Sequence, residues 1–127
     1  MKRFAAGLAA LVLAGARLSA HHSAAAEYDA SRLLVLDAIV TKVEWSNPHV
    51  FFHVAVKERK GTLVDWYLEA ASPNGMRRQG WLPKTIKAGD RVTVEAYQAK
   101  DAPALAKTHR VKVPDGRWLY ADSTGPD

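Results

Sequence analysis

The chain of 127 residues has no cysteine. That absence excludes a disulfide framework, a lipid anchor on a leading Cys and a thiol nucleophile, and it leaves an oxidising compartment permitted but not required. There is also no Gly-x-Ser-x-Gly elbow, no phosphate-cradling glycine loop and no His-Glu-x-x-His helix. Each of those motifs places a nucleophile, a phosphate cradle or a metal-bound water, so the common hydrolytic and nucleotide-dependent chemistries lack their signatures here. Long apolar runs are missing as well. The longest, residues 4–14, is too short to cross a bilayer as a helix. No internal repeat is visible.

The charge balance shifts once the N-terminus is considered. Met1-Lys2-Arg3 is a basic opening, the apolar run follows, and then small residues, which is the pattern of a secretory signal peptide. Cleavage after Ala20 gives a leader of ordinary length (residues 1–20), with Ser19 the second choice; Ala14-Gly15-Ala16 fits the small-x-small rule but makes a short leader. Lys2, Arg3 and Arg17 leave with it, so 15 of the 18 basic residues remain against 13 acidic ones, and the formal charge drops from +5 to +2. A domain so close to neutral lacks the dense basic face that nucleic acid requires.

The remainder divides into an N-terminal arm (21–32), a β domain (33–121) and a tail (122–127) expected to be disordered. Alternation sets the strands. A first strand over 33–45 carries Leu36, Ala38 and Val40 in phase, then Val43 and Trp45 one residue out of step, as a β-bulge would produce. Asn47-Pro48 turns the chain. A second strand over 49–57 sends Val50, Phe52, Val54 and Val56 inward, with His49, Phe51 and His53 on the other face. Residues 62–70 place Val64, Trp66 and Leu68 inward, and Asp65, Tyr67 and Glu69 outward. Ser72-Pro73 opens a short helix, as a hydroxyl cap followed by proline at the first helical position, and Gly80 closes it. Strands over 91–98 and 107–113 and a short one over 117–120 complete the chain. Three strands, a helix and two more strands is the order of a five-stranded OB-fold-like barrel with one short helix between strands 3 and 4.

His21-His22-Ser23, Trp45-x-Asn47-Pro48-His49, Ser72-Pro73-Asn74 and Gly80-Trp81 resemble the signature of a family of small exported bacterial proteins, domain of unknown function 6152. The likeness extends to the Lys87-x-Gly89-Asp90 turn and the Asp115-Gly116-Arg117 ending, and so covers nearly all of the chain after the leader. Ala24 stands where that family usually carries an aromatic. The resemblance implies periplasmic residence and no established activity.

Two sets of residues can carry chemistry. Cleavage after Ala20 makes His21 the new N-terminus, whose α-amine and imidazole can chelate one metal together, with His22 adding a second ring. Cleavage after Ser19 puts a histidine third from a free amine. Nitrogen donors of this kind favour copper, with nickel and zinc behind it. His49, at the start of its strand, is the best further ligand. His53, four residues along the same strand, is too far away to share an ion with it unaided, and it and His109 are weaker additions. The second set is the outward face of the second and third strands, where Phe51, Tyr67, Asp65 and Glu69 offer a surface for a partner protein or glycan. For Phe51 and Tyr67 the plain alternative is a cross-strand aromatic pair that stiffens the sheet. Arg77 and Arg78 can hold an anion near the helix, although solvated charge is the usual outcome. The sequence therefore reads as a non-catalytic periplasmic binding protein, for copper or another transition metal or, alternatively, for a partner docked on the second and third strands.

Overall fold

The computed structural model describes residues 27–123. The expected leader (residues 1–20), His21, His22 and residues 124–127 lie outside the described residues. The domain is mainly β: β1 (Tyr28–Glu44), β2 (Phe51–Lys57), β3 (Leu63–Glu69), a single short helix α1 (Pro73–Arg78), β4 (Arg91–Ala99), β5 (Leu105–Lys112) and β6 (Trp118–Tyr120). The strands form one sheet in the order β3-β2-β1-β4-β5-β6, and β3 additionally pairs with β5 in parallel. That last pairing sets Tyr67 beside Leu105, Leu68 beside Ala106 and Glu69 beside Lys107. Each of the first five strands therefore has a partner on both sides.

Alternation accounts for the core. Phe52, Val54 and Val56 of β2, Trp66 and Leu68 of β3, and Val92, Val94 and Ala96 of β4 are all buried together with Ala38 and Val40 of β1. β1 serves both β2 and β4, and its register against β2 shifts between Val40 and Lys42. This is where the sequence falls out of step. The extra residue lets Val43 and Trp45 still pack against the core from the far side of the slip.

The first strand starts at Tyr28, earlier than the expected boundary at residue 33. Residues 29–32 hide this continuation because Ala30 is the only apolar residue among them and no alternation is visible. Asp29 Oδ1 accepts from the Ser31 amide (2.9 Å) and hydroxyl (2.6 Å), and the register against β4 slips between Tyr28 and Leu33 before Tyr28 rejoins opposite Ala99. The other end also differs from expectation. Asp122 was assigned to a free tail but is only 2% exposed, its carboxylate 2.7 Å from His109 Nδ1.

The helix forms as its ends dictate. Ser72 Oγ accepts from the Gly75 amide at 3.1 Å, Pro73 occupies the first turn, and Gly80 takes a positive φ of 94° to leave the helix. Met76 and Trp81 plug into the core. The Trp81 indole stacks on Phe52 at 5.3 Å and donates to the Tyr120 carbonyl at 2.8 Å, tying the helix exit to β6.

Candidate functional site

The backbone around Val50 pairs with the start of the β3–α1 connection: Val50 N donates to Ala71 O (2.9 Å) and Ala70 N to Val50 O (2.8 Å). This clamp holds His49 next to Glu69, the last residue of β3. His49 Nδ1 lies 2.6 Å from Glu69 Oε1, and the Tyr28 hydroxyl donates to Glu69 Oε2. One carboxylate thus joins the start of β1, the turn before β2 and the end of β3. Burial, and then the hydrogen bond to Glu69, push the Tyr28 phenol far above its ordinary value.

These three side chains border a cleft of about 510 Å³, whose lining also includes Glu27, Ser72, Arg78, Lys107 and Asp122. Glu27, the first described residue, lines this cleft. Lys107 is Glu69's partner in the β3–β5 ladder. Asp122 arrives from beyond β6 and is held by His109.

The three described histidines are sorted into three separate carboxylate pairs. His53 Nε2 is 3.3 Å from Glu44 Oε2, near enough for attraction between charges but out of line for a hydrogen bond, and the buried nitrogen has no hydrogen-bond partner. Glu44 is held below the usual carboxylate range by Lys42, 3.1 Å away, and then by His53. His109 is bonded to Asp122 and flanked by Tyr97 (5.5 Å) and Tyr120 (5.3 Å). Among the described residues, no three His, Asp or Glu side chains gather closely enough to hold a metal. His49, His53 and His109 therefore do not form one site by themselves.

On the outward face of β2 and β3 the aromatic side chains pack on one another, with Tyr67 still 37% exposed. Phe51 and Tyr67 stack at 4.4 Å with planes 5° apart, and His53 crowds Tyr67 at 4.8 Å. The Tyr67 hydroxyl is 3.4 Å from Glu44, and its phenol is raised, by burial first and Glu44 second. Asp65 is exposed opposite Ala55 and takes no part in either cluster.

Sequence reasoning picked out His49 and Glu69 but assigned them to different sets, and it missed Tyr28, Lys107 and Asp122. Tyr28 sits in the segment taken for an arm; the signal for it was a lone large aromatic among small and polar residues. Nothing local marks Lys107 or Asp122.

The profile of a family described as Family of unknown function (DUF6152) matches residues 9–107. No curated protein and no solved structure matches the chain.

Proposed function

The chain belongs to the family of unknown function DUF6152, and from that premise we propose that it is an exported, non-catalytic periplasmic protein that binds copper, or another late transition metal, through His21, His22 and His49. The observation that carries the reading is His49 itself. Its Nδ1 is fixed by Glu69 at 2.6 Å, and a carboxylate on one ring nitrogen sets the tautomer, orients the ring and leaves Nε2 as a strengthened donor. It borders the same cleft as Glu27, and His22 precedes Glu27 by five residues. Five residues of extended chain span roughly 17 Å, enough to cross a cleft of this volume. The basic, apolar and small-residue succession at the N-terminus supports export.

We read the strand circuit as an OB-like barrel of five strands with β6 added at its margin. The parallel β3–β5 pairing supports this, because it completes the circuit β1-β2-β3-β5-β4, and α1 lies between β3 and β4 as that fold requires. The docking alternative draws less support from the geometry, since Phe51 already covers one face of the Tyr67 ring and His53 crowds it.

The test is native and denaturing mass measurement on protein from a periplasmic extract, followed by copper(II) titration of variants. A chain beginning at Ala20 or His21 and carrying metal is expected. His21→Ala/His22→Ala should abolish tight binding, His49→Ala should weaken it about 10- to 100-fold, and Phe51→Ala should leave it intact. Undiminished affinity in the double histidine variant would refute the proposal.

A further inference from the structure

A bound ion leaves most of the cleft unexplained. Its volume of about 510 Å³ falls within the range of pockets that take organic ligands, and a metal held by imidazoles fills only a small part of it. Two cations indicate what occupies the remainder. Arg78, at the end of α1, and Lys107, on β5, both line the cleft, and neither has an ion-pair or hydrogen-bond partner among the described residues. For Lys107 this is unexpected, because it is half-buried and Glu69 is its ladder neighbour. Glu69, however, has one oxygen taken by Tyr28 and the other by His49, and Asp122 is committed to His109. The Lys107 side chain lines the cleft without an ion-pair partner among the described residues, so a bound anion gains its charge-assisted contact without breaking an existing pair. The Arg78 guanidinium offers the planar fork that matches a carboxylate or phosphate. Ser72 Oγ accepts from Gly75 N and retains its own O–H to donate.

We propose that the cleft binds a small organic molecule through one oxyanion group, a carboxylate or a phosphate monoester, held between Arg78 and Lys107. Glu27, Glu69 and Asp122 line the same space and disfavour further negative charge, so a second oxyanion group is excluded and a singly charged carboxylate is expected to bind more tightly than a phosphate monoester, which carries nearly two charges at neutral pH. The site uses cations that the metal reading does not, so each can fail without the other.

Benzoate and phenyl phosphate, which share a body and differ in the oxyanion, are titrated into ¹⁵N-labelled protein in buffer freed of metal by chelating resin, with neutral benzamide as control. Saturable shifts at the amides of Ser72, Gly75 and Gln79 are expected with at least one anion and not with benzamide, and the tighter anion identifies the group. Lys107→Gln and Arg78→Gln should each weaken binding about tenfold, the loss of one charge-assisted contact; Lys112→Gln, outside this cleft, should not. A loss in only one variant assigns the oxyanion to that cation alone. Arg78 is exposed, so its variant keeps the fold and the test stands even if Lys107→Gln does not fold. Saturation by neither anion, equal saturation by benzamide, or binding indifferent to both substitutions would overturn the proposal.

Discussion

Replacing Glu69 by Ala removes the one carboxylate that ties β1, the turn before β2 and the end of β3 together. The larger loss is at Tyr28, which is 5% exposed and whose hydroxyl donates to Glu69. A buried hydroxyl stripped of its partner costs about 1–3 kcal/mol. Tyr28 borders the cleft, so water reaches that side and the lower half of the range applies, about 1–2 kcal/mol. The His49 pair adds little: its side chain is 46% exposed, and pairs of that kind contribute under about 1 kcal/mol. The sum is about 2 kcal/mol. With a slope of about 1–1.5 kcal/mol per molar urea for a domain of this size, the unfolding midpoint should fall by about 1.3–2 M. Urea denaturation followed by tryptophan fluorescence reads this directly. Tyr28→Phe removes the stranded donor, so Tyr28→Phe/Glu69→Ala should be clearly more stable than the sum of the two single losses predicts. A Glu69→Ala midpoint equal to the wild type, or strict additivity in the double variant, would refute the assignment of Glu69 as the junction.

Three further outcomes follow from the same geometry. The raised Tyr28 phenol keeps its proton in the folded state after the unfolded chain releases it at a pH of about 10; its stabilisation is complete below that pH and lost as pH climbs toward the folded value, so Tyr28→Phe should flatten the alkaline limb of the stability profile. Arg110 donates to both oxygens of Glu95 (2.5 and 3.0 Å) while lying over Trp118, and its hydrogen bonds hold Glu95 below the usual range. The pair therefore stabilises above the unfolded value of about 4.3 and is lost as pH falls through the lowered one; Glu95→Gln and wild type should differ near neutrality and converge in acid. Trp81→Ala opens a cavity beneath Phe52 and severs the bond to Tyr120, for a loss of about 3–5 kcal/mol in chemical denaturation, and a loss under about 1 kcal/mol would show that this junction does not anchor the helix exit.

What could be read from the sequence was whatever a single strand or turn encodes in its own residues. The inward set of β2, β3 and β4, the slip in β1 at Val40 and the Ser72-Pro73 helix start all arise from spacings shorter than one element, and the structure has each of them. For the Phe51–Tyr67 stack only the shared face was legible, because the register sets Phe51 opposite Glu69 and Tyr67 opposite His53, and the two rings meet on the diagonal. The cleft was not. Tyr28 meets Glu69 across 41 residues of chain, and Lys107 stands beside Glu69 only because β3 and β5 pair in parallel. No periodicity within either strand specifies that seam. The stretch 29–32 concealed Tyr28 for a related reason: a local Asp29–Ser31 turn interrupts the alternation that would have marked a strand.

The histidines illustrate how tertiary context separates residues that look alike in sequence. His49 and His53 share a strand face by spacing, yet their partners differ in the nitrogen they engage. Glu69 takes Nδ1 of His49, while the carboxylate nearest His53 stands at Nε2, the nitrogen that projects farthest from the backbone and is best placed to reach an ion. His109 is engaged at Nδ1 like His49, but Tyr97 and Tyr120 flank its ring, and a flanked ring is poorly placed to accept a further ligand. Among the described histidines, only His49 combines a ring engaged through Nδ1 with a place on the lining of the cleft. His49 is thus set apart from His53 and His109 by the atom its carboxylate occupies and by what surrounds its ring, two properties that residue type and spacing do not encode.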